Sequence, residues 1–348
     1  MNELYRIAVI GAGSWGTANA ISLAKKGMEV KLWVRNQELL YAINNTRENT
    51  TYLPSINLPQ NIEASNDMEY CCKDSDIIVL GTPSHAVRET VKEMKKYLNK
   101  EQVIVNLAKG IENDSLYRMS EVIEEYLPQN PIAVLSGPNH AEEVAIDIPT
   151  ATVVSSQYKK TAQFVQDVFM NPRLRVYTNP DIIGVELGGS IKNVIALGAG
   201  ICDGLEFGDN TKAALMTRGI VEISRLGVAL GARQNTFSGL SGVGDLIVTC
   251  TSMHSRNRRA GIAIGQGKTL EEVISSTKMV VEGVRTTKSA YELAKKVGIE
   301  MPITEEIYRV LFEEANVKNS VMNLMLRNKT HEMEDLPEIE EVGWKDAK

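Results

Sequence analysis

Lys192 lies in GGSIKNVIALGAG, residues 188–200, with Gly188 and Gly189 four and three places behind it and Ile195 and Ala196 three and four ahead. In a helix those residues share its face, so the amine sits on a face almost bare of polar side chains. Poor solvation weakens the charged form of an amine and lets it exchange a proton near neutral pH. That chemistry suits general acid–base work on an alcohol or a carbonyl. The plain alternative is a lysine whose stem covers apolar surface while its amine reaches water, which leaves the bare face unexplained. Gly188, Gly189, Ala196 and Ala199 allow a ligand or another domain to come near, and Asn193 is placed to orient a substrate oxygen.

Other residues point to a nucleotide and an anion. Gly11, Gly13 and Gly16 in VIGAGSWG form G-x-G-x-x-G directly after a strand pattern and at the start of a helical one. In that context the first glycine permits a tight turn, the second admits a pyrophosphate, and the third lets helix and strand pack closely. The second strand ends at Arg35 and Asn36, where an acidic residue would mark NAD(H). A cation there fits a 2′-phosphate, so the expectation is NADP(H), or use of both NADP(H) and NAD(H); an exposed loop arginine is the plain alternative.

Lys109 follows a strand in QVIVNLAKGIE, a place for binding an anion or for a solvated loop lysine. Asp245 follows a glycine-rich loop, where a helix N-cap is the ordinary role. Ser255, Arg256, Asn257, Arg258 and Arg259 form the most basic cluster of an acidic chain, and arginine fits phosphate with paired hydrogen bonds. Glu282, amid apolar residues, suggests a loop closing on the cofactor. His85 opens a helix and His140, His254 and His331 stand alone; no metal-ligand spacing occurs.

These residues need a scaffold. RIAVI, EVKLWV, DIIVL, QVIVNL, PIAVLS, ATVV and LRVY read as strands, with helical patterns such as SWGTANAISLAKKG, SHAVRETVKEMKKYL and YKKTAQFVQDVFM between several of them. That alternation predicts an α/β, Rossmann-type, doubly wound and mainly parallel sheet. Residues 46–61 are expected to be an irregular excursion. From Asp181 the patterns are helical, as in KSAYELAKKVG and TEEIYRVLFEE. The expected domains are a dinucleotide-binding unit over 1–180, an all-α substrate-binding unit over 181–330, and an acidic tail over 331–348.

The 348 residues carry a net charge of −6, with 43% hydrophobic and 24% charged residues. That balance argues against nucleic acid as a partner, as does the lack of aromatics near the basic cluster. No run of about eighteen apolar residues predicts a membrane span, and the apolar run Ile7–Ile10 is too short for a secretion signal. Four cysteines without CxxC spacing fit the cytoplasm.

Taken together, VIGAGSWGTA, NLAKGIE, LSGPNHAEEV, ELGGSIKNVIALGAGICDGL, GLSGVGDLIVTC, SRNRRAG and VVEGVRTT resemble the bacterial NAD(P)-dependent sn-glycerol-3-phosphate dehydrogenases over about residues 5–330. The resemblance implies reversible reduction of dihydroxyacetone phosphate to sn-glycerol 3-phosphate, feeding glycerophospholipid synthesis, with Lys192 as proton donor and acceptor. It implies substrate contacts from Lys109, Gly137, Asp245, Ser255, Arg256 and Asn257. It also implies a cofactor site including Ser14, Trp15, Arg35, Lys109, Ala141, Arg256, Val280 and Glu282, and a homodimer. Asn139 stands where many relatives have a serine or threonine that touches the substrate. Two rivals remain: another two-domain, lysine-dependent dehydrogenase acting on a hydroxyacyl or sugar-acid substrate, and a non-catalytic nucleotide sensor.

Overall fold

Strands that are apolar at every position, rather than at alternate ones, must be covered on both faces. The computed structural model, which describes residues 4–277, 279–329 and 332, builds such a sheet. Its strands are β1 (Arg6–Ile10), β2 (Glu29–Trp33), β5 (Ile62–Ser65), β6 (Ile77–Leu80), β7 (Val103–Asn106), β8 (Ile132–Ser136), β9 (Thr150–Ser155) and β10 (Leu174–Asn179). Every residue of β6 and β7 is buried. The spatial order is β10-β9-β8-β7-β6-β1-β2-β5, and all neighbours are parallel except β8 and β9. From β1 the chain runs to one side through β2 and β5, then returns to place β6 on the other side. That reversal opens a crevice at the carboxyl ends of β1 and β6, where open parallel sheets take ligands.

Helices α1 (Ser14–Lys25), α2 (Gln37–Thr46), α3 (Met68–Cys72), α4 (Val87–Met94), α5 (Met119–Tyr126), α6 (Ala141–Ala145) and α7 (Lys159–Phe169) accompany the sheet. The expected irregular excursion at 46–61 is in part regular. β3 (Glu48–Asn49) and β4 (Leu53–Asn57) pair antiparallel around a short turn. Asn49 is fully buried, and its amide donates to the Ala12 carbonyl and to Thr17, both at 2.8 Å, which pins the hairpin to the glycine turn. The acidic tail expected over 331–348 lies outside the described residues apart from Glu332, and so does His331.

The second half is helical: α8 (Ile182–Gly204), α9 (Asp209–Ala229), α10 (Asp245–Thr251), α11 (Arg256–Gly265), α12 (Leu270–Ser275), α13 (Glu282–Val297), α14 (Pro302–Phe312) and α15 (Val317–Met325). By length and composition α8 passes for a membrane span, but 94% of its most apolar window is buried inside the protein. It is the axis of this half.

The sequence left open whether the small residues of α8 admit a ligand or another domain. At its glycines, neighbouring parts of the protein close on the helix. A Cβ on Gly200 would stand 2.0 Å from the Arg258 carbonyl oxygen, and one on Gly204 2.3 Å from that of Ile262. From α11 the same holds in reverse, with Gly261 against the Leu197 carbonyl and Gly265 against that of Ile201. Nearer Lys192, Gly188 meets the Ser241 carbonyl and Gly189 meets the Ser136 hydroxyl.

Buried carboxylates fasten the elements. Glu186 on α8 accepts from the backbone N–H and hydroxyl of Ser120 at 2.8 and 2.5 Å, and from Arg118 at 2.6 Å, tying α8 to the start of α5. Glu222 on α9 accepts from the N–H groups of Ile303 and Thr304 at 2.7 and 3.2 Å, satisfying donors that the first turn of α14 leaves free.

Burial pushes the Glu222 carboxyl up to about 7 against these hydrogen bonds. Its folded-state value therefore lies above the unfolded one, so the stability linked to its proton is complete below about pH 4.5 and is lost as pH rises through 7. The loss is at most about 3 kcal/mol. In Glu222→Gln, chemical denaturation between pH 5 and 8 should give a flatter stability profile than the wild type, whatever the baseline. An unchanged slope would place the titration elsewhere.

Candidate active site

The carboxyl ends of β1, β6 and β7, the starts of α1 and α6, and the N-termini of α10, α11 and α13 surround one cavity of about 540 Å³. Its floor is the glycine turn. Gly11 has φ +115°, a backbone state that side chains rarely adopt. A Cβ on Gly16 would stand 2.1 Å from the Gly11 carbonyl, and one on Gly81 would stand 2.9 Å from the Gly16 Cα. The sequence reading missed Gly81, although a glycine directly after a parallel strand was the available signal. Gly13 differs: a Cβ there would find only the Gly81 carbonyl at 3.8 Å, so open space and not packing lies over it.

Ser14 and Trp15 open α1 on the cavity wall, and the buried Trp15 Nε1–H has no acceptor among the described residues. A cradle that a Cβ would fill, next to an unused donor at a helix N-terminus, fits the pyrophosphate of a dinucleotide. Arg35 is exposed on the same wall. Asn36 is there too, but its side chain is committed to capping α2, accepting from Leu39 N–H at 2.7 Å.

At the other end lies a charged triad. Lys192 Nζ donates to Asp245 Oδ1 at 2.6 Å and to Thr249 Oγ1 at 2.5 Å. Lys109 Nζ donates to Asp245 Oδ2 at 2.7 Å, to Asn139 Oδ1 at 2.9 Å and to the Gly137 carbonyl at 3.0 Å. Lys192 and Asp245 are 6% and 1% exposed, too little for water to replace either partner. Asp245 does not cap α10: it is the first helical residue, after Gly244, and its side chain points at the amines. Burial would raise the Asp245 carboxyl, but the charges of Lys109 and Lys192 outweigh it and hold the group below its usual range. Burial pushes Lys109 down to about 8, with Asp245 opposing the fall and the charge of Lys192 adding to it. Thr249 went unread in the sequence, although it stands one helical turn after Asp245.

The basic cluster separates on folding. Arg258 turns back to Asp203 at 2.7 Å, and Arg259 donates to the Met253 carbonyl at 2.6 Å. Arg256 faces the cavity, where it donates to the Val280 carbonyl at 3.3 Å and, among the described residues, makes no ion pair. The Ser255 hydroxyl caps α11 by accepting from Arg258 N–H at 3.2 Å. Asn257 is largely structural: it donates to Asn193 at 2.8 Å and accepts from Gly283 N–H at 2.8 Å, joining α11 to α8 and α13. Arg256 and the N-terminus of α11 thus present positive charge that no ion pair among the described residues takes up, as an anion requires.

Of the remaining residues singled out, Ala141, Val280 and Glu282 line the cavity. Glu282 accepts from Ser84 N–H at 3.2 Å and from its hydroxyl at 2.6 Å, a link between the two halves. Gly137 stands behind the wall and reaches it only through Lys109, as Gly16 does through the glycine turn. The histidines do not all stand alone. His140 and His254 have ring centroids 5.7 Å apart on the cavity wall, and His85 lines it as well.

Two family profiles match the chain. The N-terminus of NAD-dependent glycerol-3-phosphate dehydrogenase covers residues 6–162, and the C-terminus of the same family covers 181–322. The chain is 58% identical over 334 residues to a glycerol-3-phosphate dehydrogenase (NAD(P)+) of Pelotomaculum thermopropionicum, covering 95% of this chain and 96% of that one. It is 52% identical to the protein of that name from Bacillus subtilis, over 95% and 97% of the two chains. A crystal structure of glycerol-3-phosphate dehydrogenase from Coxiella burnetii superposes with a TM-score of 0.90 at 38% identity, over 93% and 99% of the two chains.

Since the fold leaves room for a methyl group at Gly13, Gly13→Ala should keep the wild-type melting temperature yet weaken dinucleotide binding at least about tenfold. Titration of NADH and NADPH by fluorescence would read this. Unchanged affinity would mean that the pyrophosphate does not pass over Gly13.

Proposed function

The chain belongs to the NAD-dependent glycerol-3-phosphate dehydrogenase family and is an NAD(P)-dependent oxidoreductase; from that premise we propose how its side chains divide the work. The reaction is the reversible reduction of dihydroxyacetone phosphate to sn-glycerol 3-phosphate. When bound, a nicotinamide cofactor would supply hydride to the C2 carbonyl carbon in one direction and take it back in the other. Negative charge grows on the C2 oxygen as hydride arrives. Lys192, as an ammonium, stabilises that charge and hands over its proton, so carbonyl, hydride and proton make the alcohol. In the oxidative direction the same amine accepts the proton. Lys109 adds a second positive group, and Asp245 holds both amines at fixed places.

Arg256, with the N-terminus of α11, holds the substrate phosphate. Binding energy far from C2 then positions the reacting carbon. Asn193 and Asn257 keep α8 and α11 in register around it. The observation that carries this reading is one carboxylate bonded to two lysines, at 2.6 and 2.7 Å, on the wall of a cavity that also contains the glycine turn. A nucleotide sensor has no use for such a pair, and Arg256 beside it argues for a small phosphate ester over a hydroxyacyl or sugar-acid substrate.

The same reading places the product in glycerophospholipid synthesis and the protein in the cytoplasm, as a homodimer. All four cysteines, Cys71, Cys72, Cys202 and Cys250, are free and buried, which suits a reducing compartment. Arg35, exposed at the end of β2, favours use of NADP(H) beside NAD(H).

Lys192→Ala should lower kcat by about a thousandfold or more while NADH binding survives; near-normal turnover would remove this amine from the mechanism. Arg256→Ala should act chiefly on KM for dihydroxyacetone phosphate and leave an unphosphorylated analogue little changed. Equal losses on both substrates would put the phosphate elsewhere.

A further inference from the structure

Lys109 Nζ faces three acceptors: Asp245 Oδ2, Asn139 Oδ1 and the Gly137 carbonyl. An ammonium has three N–H donors, so in the charged form each acceptor takes one. Two of these groups can only accept. Asn139 is the exception, since its amide presents either an oxygen or an NH2.

What fixes its orientation lies one residue farther away. Thr152, fully buried on β9, donates its single hydroxyl hydrogen to the Ser136 carbonyl at 2.7 Å. Its oxygen is left with lone pairs only, so Asn139 must turn its NH2 toward it, at 3.1 Å. The amide oxygen then faces Lys109. With Thr152 unable to accept, the amide could turn over and point its own N–H groups at the ammonium.

We propose that Thr152 is a positioning residue that, through Asn139, keeps an acceptor against Lys109 and so maintains it as a cation beside Asp245 during turnover. This rests on the reading of Lys109 as the second positive group of the mechanism. The charged and titratable groups facing Lys109 are Asp245 on α10, Lys192 on α8 and His140 before α6. None of them changes when Thr152 is replaced by an isosteric apolar residue.

An acceptor lost from a cation lowers the pH at which the cation gives up its proton. In Thr152→Val, the alkaline limb of kcat/KM for dihydroxyacetone phosphate reduction should therefore move down by about one pH unit, the equivalent of one charge-assisted hydrogen bond. Thr152→Ser, which keeps the hydroxyl, should restore the wild-type limb. Asn139→Leu should shift it as Thr152→Val does, and the double variant no farther; should Thr152→Val fail to fold, the Asn139→Leu and Thr152→Ser profiles decide the question. A uniform loss of activity with an unmoved limb, or a Thr152→Ser shift as large as that of Val, would overturn the inference. Lys109→Met separates the two levels. If it leaves turnover and the limb unchanged, the role of Lys109 itself is wrong; if it lowers turnover or moves the limb while Thr152→Val moves nothing, only the positioning role is lost.

Discussion

One carboxylate held between two lysines is the constraint from which the rest of the site follows. Asp245 is 1% exposed, so its lysine partners carry its compensation. Removing one member of such a buried cluster costs about 3–5 kcal/mol, because it leaves charge uncompensated. Without Asp245, Lys109 and Lys192 would be two like charges facing each other with nothing between them to compensate. The carboxylate is thus what allows two amines to share a cavity wall. Its pair of oxygens, one for each amine, fixes where both stand.

Burying that triad requires backbone to come close on every side, and the glycines supply the clearance. Gly188 and Gly189 admit the Ser241 carbonyl and the Ser136 hydroxyl within a turn of Lys192, where any side chain would collide. Farther along α8, Gly200 and Gly204 interlock with Gly261 and Gly265 of α11, bringing the two helix backbones nearly into contact. That crossing sets the N-terminus of α11, and with it Arg256, beside the amine-bearing turn of α8. Close packing and anion binding are here two results of one set of small residues.

The sequence carried the scaffold because its signals are local. Glycines between a strand and a helix, uninterrupted Val and Ile runs, and long 3.6-residue periodicity each depend on neighbours within a few positions. Lys192 was legible for a related reason: its own helical face looked wrong for a surface. What that face meets was not legible, since a stripe of small residues is the same whether a ligand or another helix fills it. Asp245 looked like a cap because the amines that orient it lie 53 and 136 residues away. Arg258 and Arg259 looked like part of an anion site until Asp203 and the Met253 carbonyl took them. The hairpin of β3 and β4 was hidden for want of length, with only two residues in its first strand.

Three of the long-range contacts cross between the halves in one direction. Lys109 comes from the sheet half and Asp245 from the helical half; Ser84 and Glu282, and Ser120 and Glu186, are divided in the same way. Each pair places a buried or half-buried carboxylate of the helical half against a donor of the sheet half, so beside the apolar cluster of Val134, Val153, Ile182 and Val185 the seam carries matched donors and acceptors. Those apolar contacts alone would tolerate sliding, since dispersion has little directional preference. Hydrogen-bonded carboxylates do not: a shift of an ångström leaves a buried charge unsatisfied. Reduction of a carbonyl needs hydride donor and proton donor set on the same carbon–oxygen bond to within a fraction of that distance. A seam built from matched charges holds the two halves to that tolerance.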